Sequence, residues 1–166
     1  MPHFRLTYRL TGMGLADAEI SDGREHLQLH ISYIGSGIDA AADAAIALMQ
    51  SANRSEFIWL KETGYFFWIL EKQQEQLQIT VLDKSVPERR DEQTQVLFRS
   101  NTTLLKFGIQ VGDTLHHLLE KHGSQGYAEQ WGYPFPLAEY ERLAHLIRDA
   151  KRSIRKAQGI SRKRSS

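Results

Sequence analysis

The stretch that decides the fold is LHISYIGSGIDAAADAAIALM, residues 29–49, in which an apolar strand passes through a glycine turn into an alanine-rich helix. The turn, Gly35-Ser36-Gly37-Ile38-Asp39-Ala40, matches the loose G-x-G-x-x-G/A form of phosphate-binding turns. The strand before it alternates apolar and polar residues from Leu27 to Ile31, as half-exposed antiparallel strands do, whereas the first strand of a dinucleotide-binding fold is buried on both faces. Asp39 also places negative charge where a phosphate would bind. We therefore interpret the stretch as a tight corner between strand and helix.

The segments on either side of this corner predict an α+β domain. Alternating or continuous apolar runs predict six strands, near residues 4–10, 27–33, 57–61, 65–70, 77–81 and 94–99, and leave residues 15–20 open as a further short strand. Spacings of three and four between apolar residues predict the helices, over residues 38–50, from residue 102 or 103 to Gly123, and from about residue 136. A solvated loop is expected at residues 84–92. The sequence thus predicts a largely antiparallel sheet of about six strands with about three helices packed on it.

Composition narrows the class of protein. The chain has 166 residues, of which 41% are hydrophobic and 25% charged, so one soluble domain with a substantial core is expected. It contains no cysteine, which excludes disulfides, thiolate zinc sites and cysteine nucleophiles. Neither a secretory signal nor an apolar run of membrane-spanning length is recognisable. We therefore expect a cytoplasmic protein that has no membrane contact and no cofactor.

Charge is distributed unevenly along the chain. Residues after Ala150 carry seven basic side chains and no acidic one, while residues 1–150 hold 14 basic and 20 acidic residues, a net charge of −6. The sequence predicts a single α+β domain over residues 1–150 and a basic, disordered tail over residues 151–166. An alternative function is non-specific binding of nucleic acid by the tail, with four residues as the anion-binding group: Lys151, Arg152, Arg155 and Lys156.

Aromatic residues are concentrated in two segments. In the predicted hairpin around Thr63-Gly64, both faces of the strands are apolar, so the second face needs a covering helix, a second copy of the chain, a partner or a ligand. The segment from Tyr127 to Pro136 carries aromatic residues stiffened by two prolines, and either seals the core or forms a contact surface. The residues expected to contact a partner are Trp59, Trp68, Trp131, Tyr133 and Phe135.

Three common phosphate-binding and hydrolase motifs are absent from the sequence, which makes an enzyme less favoured without excluding one. It has no G-x-x-x-x-G-K-[ST] loop, no H-E-x-x-H and no G-x-S-x-G. Asp113 and His117 share a helix face, but two ligands do not make a metal site, so no metal is expected. Glu62 and Glu71 lie near the ends of the predicted hairpin strands and could approach each other as an acid-base pair. The alternative function is therefore a small enzyme that uses either these two carboxylates or the Asp113/His117 pair. Enzymatic activity is less favoured than binding, and no catalytic residue is assigned.

Three sequence phrases resemble those of a group of small uncharacterised bacterial proteins. The phrases are Ile31-Ser32-Tyr33, Glu62 to Trp68, and Gly126-Tyr127 followed by Trp131 to Pro136, and the resemblance covers residues 27–147. Such proteins are similar to cytoplasmic immunity or accessory partners encoded near bacterial toxins. The resemblance implies a non-catalytic protein-binding role. The acidic charge of residues 1–150 favours a basic partner such as a nuclease toxin, and the apolar second face of the hairpin favours self-association as a homodimer. The resemblance includes no residue beyond 150.

Overall fold

The described residues of the chain form three strands, one helix, four further strands and two C-terminal helices, which makes it an α+β fold. The computed structural model describes residues 3–32, 36–84 and 95–164, with side chains up to residue 159. The predicted Gly35 of the turn and most of the predicted 84–92 loop lie outside the described residues. The strands are β1 (Arg5–Gly12), β2 (Leu15–Ser21), β3 (His26–Ser32), β4 (Arg54–Leu60), β5 (Tyr65–Gln73), β6 (Gln76–Lys84) and β7 (Gln95–Thr103). The helices are α1 (Ile38–Gln50), α2 (Leu104–Trp131) and α3 (Leu137–Arg164). None of the described helices is both long and apolar enough to cross a membrane.

The strands form two antiparallel sheets, which corrects the expected single sheet of about six strands. The first sheet has the order β1-β2-β3, and the second has the order β4-β5-β6-β7. Helix α1 separates β3 from β4 along the chain, and within each sheet every strand pairs with its neighbour in sequence. Alternation of apolar residues shows which side of a strand is buried but does not show which strands share hydrogen bonds, so the division into two sheets had no signal in the sequence.

The apolar faces of the two sheets contribute to one core. Phe4, directly before β1, lies 6.5 Å from Phe98 of β7, and Tyr8 of β1 lies 5.7 Å from Trp59 of β4, measured between ring centroids. The sequence assigned Phe4, just before β1, and the alternating residues of β1 up to Leu10 to the core, and all of them are buried. Residues of opposite sheets therefore meet directly, and the helices enclose the remaining sides of the core.

Helix α2 lies along the free edge of the first sheet. The backbone N–H of Leu6 donates a hydrogen bond of 2.9 Å to Oε1 of Gln110, and the hydroxyl of Thr114 lies 3.4 Å from the carbonyl oxygen of Leu6. These side chains partly satisfy the edge of β1, which would otherwise be open to pairing with another strand. Helix α2 also forms one wall of a groove described below.

Two helix ends differ from the expectation. Gly123, the predicted end of α2, does interrupt the helix with a φ of 69° and a ψ of 170°, but helical structure resumes and continues to Trp131. Helix α3 continues to Arg164, past the start of the basic tail expected after Ala150. The disorder of that tail stays a prediction. Arginine, lysine and alanine have high helix propensity, and no proline follows Pro136 to stop the helix.

Candidate functional site

A groove lined by carboxylates and aromatic rings lies where the start of α1 meets the segment between α2 and α3. We call it the acidic groove, and its cavity volume is about 470 Å³. Asp39 and Asp43 come from α1 and Glu139 comes from the first turn of α3. The remaining lining residues are Ser36, Tyr127, Trp131, Tyr133, Pro134, Phe135 and Pro136.

The sequence shapes the wall of the acidic groove between residues 131 and 136. Gly132 ends α2 with a φ of 99°, a conformation that favours glycine. The chain then passes through Pro134 and Pro136, which fix φ and stiffen the segment. Phe135 is buried with its ring edge against Tyr127, 5.3 Å away, while Tyr133 is 49% exposed. The segment thus holds one ring in the core and presents another to solvent.

The carboxylates of the acidic groove repel one another. Partial desolvation raises the pKa of Asp43, and the charges of Glu139 and Asp39 raise it further. Oδ1 of Asp39 accepts a hydrogen bond of 2.7 Å from the backbone N–H of Gly37, which fixes this carboxylate at the start of α1. Within the part of the chain that the structure describes, no ion pair involves any of the three carboxylates. The groove therefore offers three carboxylates without a cationic partner among the described residues, beside an exposed aromatic ring.

The indoles expected to contact a partner lie in the core. Trp59 is 0% exposed, and Trp68 and Trp131 are each 1% exposed. Trp59 and Trp68 pack edge to face with their centroids 4.9 Å apart, and Trp131 packs on Tyr8. Burial makes these three indoles part of the core, and Trp131 also contributes to the lining of the acidic groove. Their role in contact with a partner stays a prediction. For Tyr133, and for Phe135 at the wall of the groove, that role remains a proposal.

A second groove lies between α2 and the solvent-facing side of the first sheet. We call it the histidine groove, and its cavity volume is about 590 Å³. Its floor carries the hydrogen-bonded trio Arg9, Asp17 and His30, in which Asp17 accepts from His30 Nδ1 at 2.6 Å and from Arg9 at 3.3 Å. The hydrogen bond from His30 is the main cause that lowers the pKa of Asp17, and the bond from Arg9 adds to it. The antiparallel register places the three residues side by side.

The histidine groove holds one of the enzyme candidates from the sequence. Asp113 and His117 line its helical wall. A carboxylate that orients an imidazole is an element of general-base catalysis, but His30 is 80% exposed and so lacks the water-excluded surroundings that strengthen such chemistry. Among the described residues, no three histidines or carboxylates are placed to hold a metal ion. The groove thus has one component of a catalytic site without the others.

The hairpin carboxylates do not meet. Glu62 lies in the turn between β4 and β5, whereas Glu71 lies at the far end of β5, opposite Arg54. Its carboxylate is 3.3 Å from the guanidinium of that arginine. Neither glutamate lines the acidic groove or the histidine groove. The hairpin geometry therefore separates the two carboxylates that an acid-base pair would need close together.

The second face of the hairpin carries an apolar row that runs across the second sheet. Ile58 pairs with Phe67, Phe67 with Leu82, and Leu82 with Val96. Ile58 and Val96 are exposed, and the two central residues are half-buried. In the described part of the chain, the helices pack against β4 and β7 without burying this row. Self-association through this face stays a prediction.

The basic residues expected to bind anions are all exposed on α3. Lys151, Arg152, Arg155 and Lys156 lie in the part of the helix where every described side chain is exposed. The helix holds them along its surface instead of leaving them in an irregular chain. Their anion-binding role remains a prediction, which the last section of these Results develops.

The sequence contained a partial signal for the acidic groove and none for the Asp17–His30 pair. Asp39 and Asp43 are four residues apart, a spacing that places two like charges on one helix face. Glu139 joins them only through the packing of α3 on α1. Asp17 and His30 come together through the register of β2 and β3, which alternation alone does not specify.

Comparison with known proteins gives little guidance. No protein-family model matches the chain, and no curated protein matches it. Among solved structures, a chain of a CdiA-CT/CdiI toxin and immunity complex from Enterobacter cloacae is similar, with a TM-score of 0.42 and 13% sequence identity. The match covers 71% of this chain and 99% of that chain. At this identity and TM-score, the similarity supports no conclusion about function or partner.

Proposed function

We propose that the chain is a non-catalytic binding protein of the immunity or accessory type, which takes a basic side chain of a protein partner into the acidic groove. The observation that carries this function is the convergence of Asp39, Asp43 and Glu139 on one aromatic-lined cavity of about 470 Å³, with no ion pair to them among the described residues. A cation entering the groove relieves the repulsion from Glu139 and Asp39, which adds to desolvation in raising the pKa of Asp43.

An arginine or lysine of a protein suits this groove better than a metal ion does. Among the described residues, no three carboxylates or histidines are close enough to share one ion. A guanidinium is a wide, planar cation that donates hydrogen bonds to separate carboxylates at once. The exposed ring of Tyr133 adds a cation–π surface, and the prolines beside it provide apolar contact for the aliphatic stem.

The charge of the whole domain supports the same partner class. Residues 1–150 carry a net charge of −6, which attracts a basic protein at long range and raises the rate of encounter at low salt. Long-range attraction is not selective by itself. The groove supplies the local contact that distinguishes a correctly placed cationic side chain from other positive charge.

The test uses tri-arginine peptide as the probe and ¹⁵N–¹H correlation spectra of the full chain as the readout. We expect weak, salt-sensitive binding with chemical-shift changes centred on the backbone amides of Asp39, Asp43, Tyr133 and Glu139. The double variant Asp43→Asn/Glu139→Gln should weaken binding at least tenfold. The double variant Glu129→Gln/Glu141→Gln removes the same charge outside the groove and should leave binding within about twofold.

Two outcomes contradict the proposed site. One is a set of shift changes centred away from the groove. The other is equal weakening by the two double variants, which means that the peptide responds to net charge alone.

A further inference from the structure

The second half of helix α3 projects into solvent. Leu143 and Ile147 are buried against the body of the protein, whereas every side chain from Lys151 to Gly159 is exposed. The backbone remains helical to Arg164, so about 14 residues after Ala150 form a segment about 21 Å long. The described side chains of this projecting segment, from residue 151 to 159, do not contribute to the core.

The exposed basic residues from Arg148 to Lys156, at the start of this segment and just before it, lie on one face of the helix. At about 100° per residue, the five described cations fall within an arc of about 140°. They are Arg148, Lys151, Arg152, Arg155 and Lys156. The nearest carboxylate along the helix is Asp149, which lies 3.3 Å from Nε2 of His145. The segment after Ala150 contains no acidic residue, and the sequence continues with Arg162, Lys163 and Arg164.

Repulsion between these cations lowers the stability of the projecting helix when nothing is bound to it. Three pairs of like charges lie four residues apart, at Arg148 and Arg152, Lys151 and Arg155, and Arg152 and Lys156, and pairs at this spacing destabilise a helix. A projecting helix of this length has little stability of its own in water. A ligand that supplies a row of negative charges removes the repulsion and stabilises the helix, so the segment is suited to a linear polyanion.

We propose that the cationic face of α3 binds the phosphate backbone of duplex nucleic acid without sequence preference. Its five cations extend over about 12 Å, or one for each 3 Å of helix axis, close to the one phosphate per 3.4 Å of a single DNA strand. An α-helix fits the major groove of a duplex. No aromatic residue follows Tyr140 in the sequence to stack on unpaired bases, which favours a duplex over a single strand. The acidic groove plays no part in this binding.

The experiment measures the fluorescence anisotropy of a labelled 20-base-pair DNA duplex titrated with the full chain at several salt concentrations. We expect micromolar affinity at low salt and a strong decrease as salt rises. The triple variant Arg152→Gln/Arg155→Gln/Lys156→Gln should weaken binding at least tenfold and reduce the salt slope by about 2.7, since each phosphate contact contributes about 0.9. The control Arg5→Gln/Arg24→Gln/Arg99→Gln changes three exposed cations outside α3, two on strands and one in the turn between β2 and β3, and should alter affinity less than threefold.

Circular dichroism of the same proteins checks the role of the helix. Adding the duplex should increase the helical signal of the native chain but not that of the α3 triple variant. Equal affinity of native chain and α3 variant overturns the proposal. Polyglutamate of 20 residues tests an acidic protein as the alternative partner. If it binds as tightly as the duplex when both are compared at the same concentration of negative charge, the assignment to nucleic acid is overturned.

Discussion

The indole Nε1 of Trp59 donates a hydrogen bond of 2.7 Å to the carbonyl oxygen of Gly37. This bond joins the edge strand of the second sheet to the residue that precedes α1. Gly37 itself lies against two aromatic side chains, since an added Cβ would meet the hydroxyl of Tyr8 and would lie 2.8 Å from the ring of Trp131. The glycine at the strand-to-helix corner is thus explained by close packing, in agreement with the interpretation of the turn as a corner.

Substitution of Gly37 by alanine should destabilise the fold. The added methyl group has no space between Tyr8 and Trp131, and overpacking of this kind costs about 1–3 kcal/mol. Urea unfolding measures the loss. Gly126→Ala is the control, because the nearest atom to its added Cβ is 3.5 Å away and the residue is helical, so stability should stay equal or rise by up to about 1 kcal/mol. Equal effects of the two substitutions would contradict the packing explanation.

The two buried tryptophans of the second sheet should respond differently to replacement by phenylalanine. Trp59→Phe removes the donor to Gly37, whereas Nε1 of Trp68 has no partner among the described residues. Both changes remove similar apolar area, so the difference reports the hydrogen bond. The carbonyl of Gly37 keeps the N–H of Ala40 as a second donor at 3.0 Å. We expect Trp59→Phe to lower the free energy of unfolding by about 0.5–1.5 kcal/mol more than Trp68→Phe. A larger loss from Trp68→Phe would refute the assignment.

The raised pKa of Asp43 predicts a pH-dependent stability difference. Between the ordinary value of 3.8 and the higher folded value, the folded chain binds more protons than the unfolded chain, so this group lowers stability as pH rises. Asp43→Asn should therefore stabilise the protein at pH 7, and the gain should disappear as pH falls below 3.8. Urea unfolding of both proteins at pH 7 and below pH 3.8 measures this gain in stability. Glu141→Gln, outside the groove, is the control for net charge, and a gain from Asp43→Asn that is independent of pH would contradict the mechanism.

The lowered pKa of Asp17 predicts the opposite trend. Because the folded value lies below the ordinary 3.8, this carboxylate stabilises the fold above that pH, and its contribution is lost as pH falls through the folded value. His30→Ala should raise the pKa of Asp17 more than Arg9→Ala does, since the hydrogen bond from His30 is the larger cause. Carboxyl ¹³C titration measures both shifts. If the pKa of Asp17 rises more in Arg9→Ala than in His30→Ala, the hydrogen bond from Arg9 is the stronger influence and this prediction is wrong.

Local patterns predicted much of the secondary structure. The alternation from Phe4 to Leu10 correctly identified the buried side of β1, and Thr63-Gly64 correctly marked the β4–β5 turn, where Gly64 has a φ of 90°. The glycine pattern correctly predicted an interruption of α2 at Gly123, but it did not predict the helical turns that follow up to Trp131. These successes and errors share one cause: turn chemistry and periodicity act over a few residues, whereas resumption of a helix depends on packing.

The candidate sites depended more strongly on tertiary structure. Aromatic composition alone did not distinguish Trp131, which is buried, from Tyr133, which is exposed two residues later. The orientation of α2 at Gly132 and the packing of Phe135 decide which ring faces solvent. Likewise, Glu139 is almost a hundred residues from Asp43 in sequence, and only the contact between α3 and α1 places both at one groove.

By itself, the sequence determined the α+β class, most strand and helix positions, the uneven distribution of charge and the absence of cysteine chemistry. These properties follow from composition and from periodicities of two and 3.6 residues. Tertiary structure alone decided the division into two sheets, the burial of the three tryptophans, the two grooves and the projection of α3. Each of these depends on which distant residues meet, and such contacts are set by strand register and helix packing, which local residue patterns do not encode.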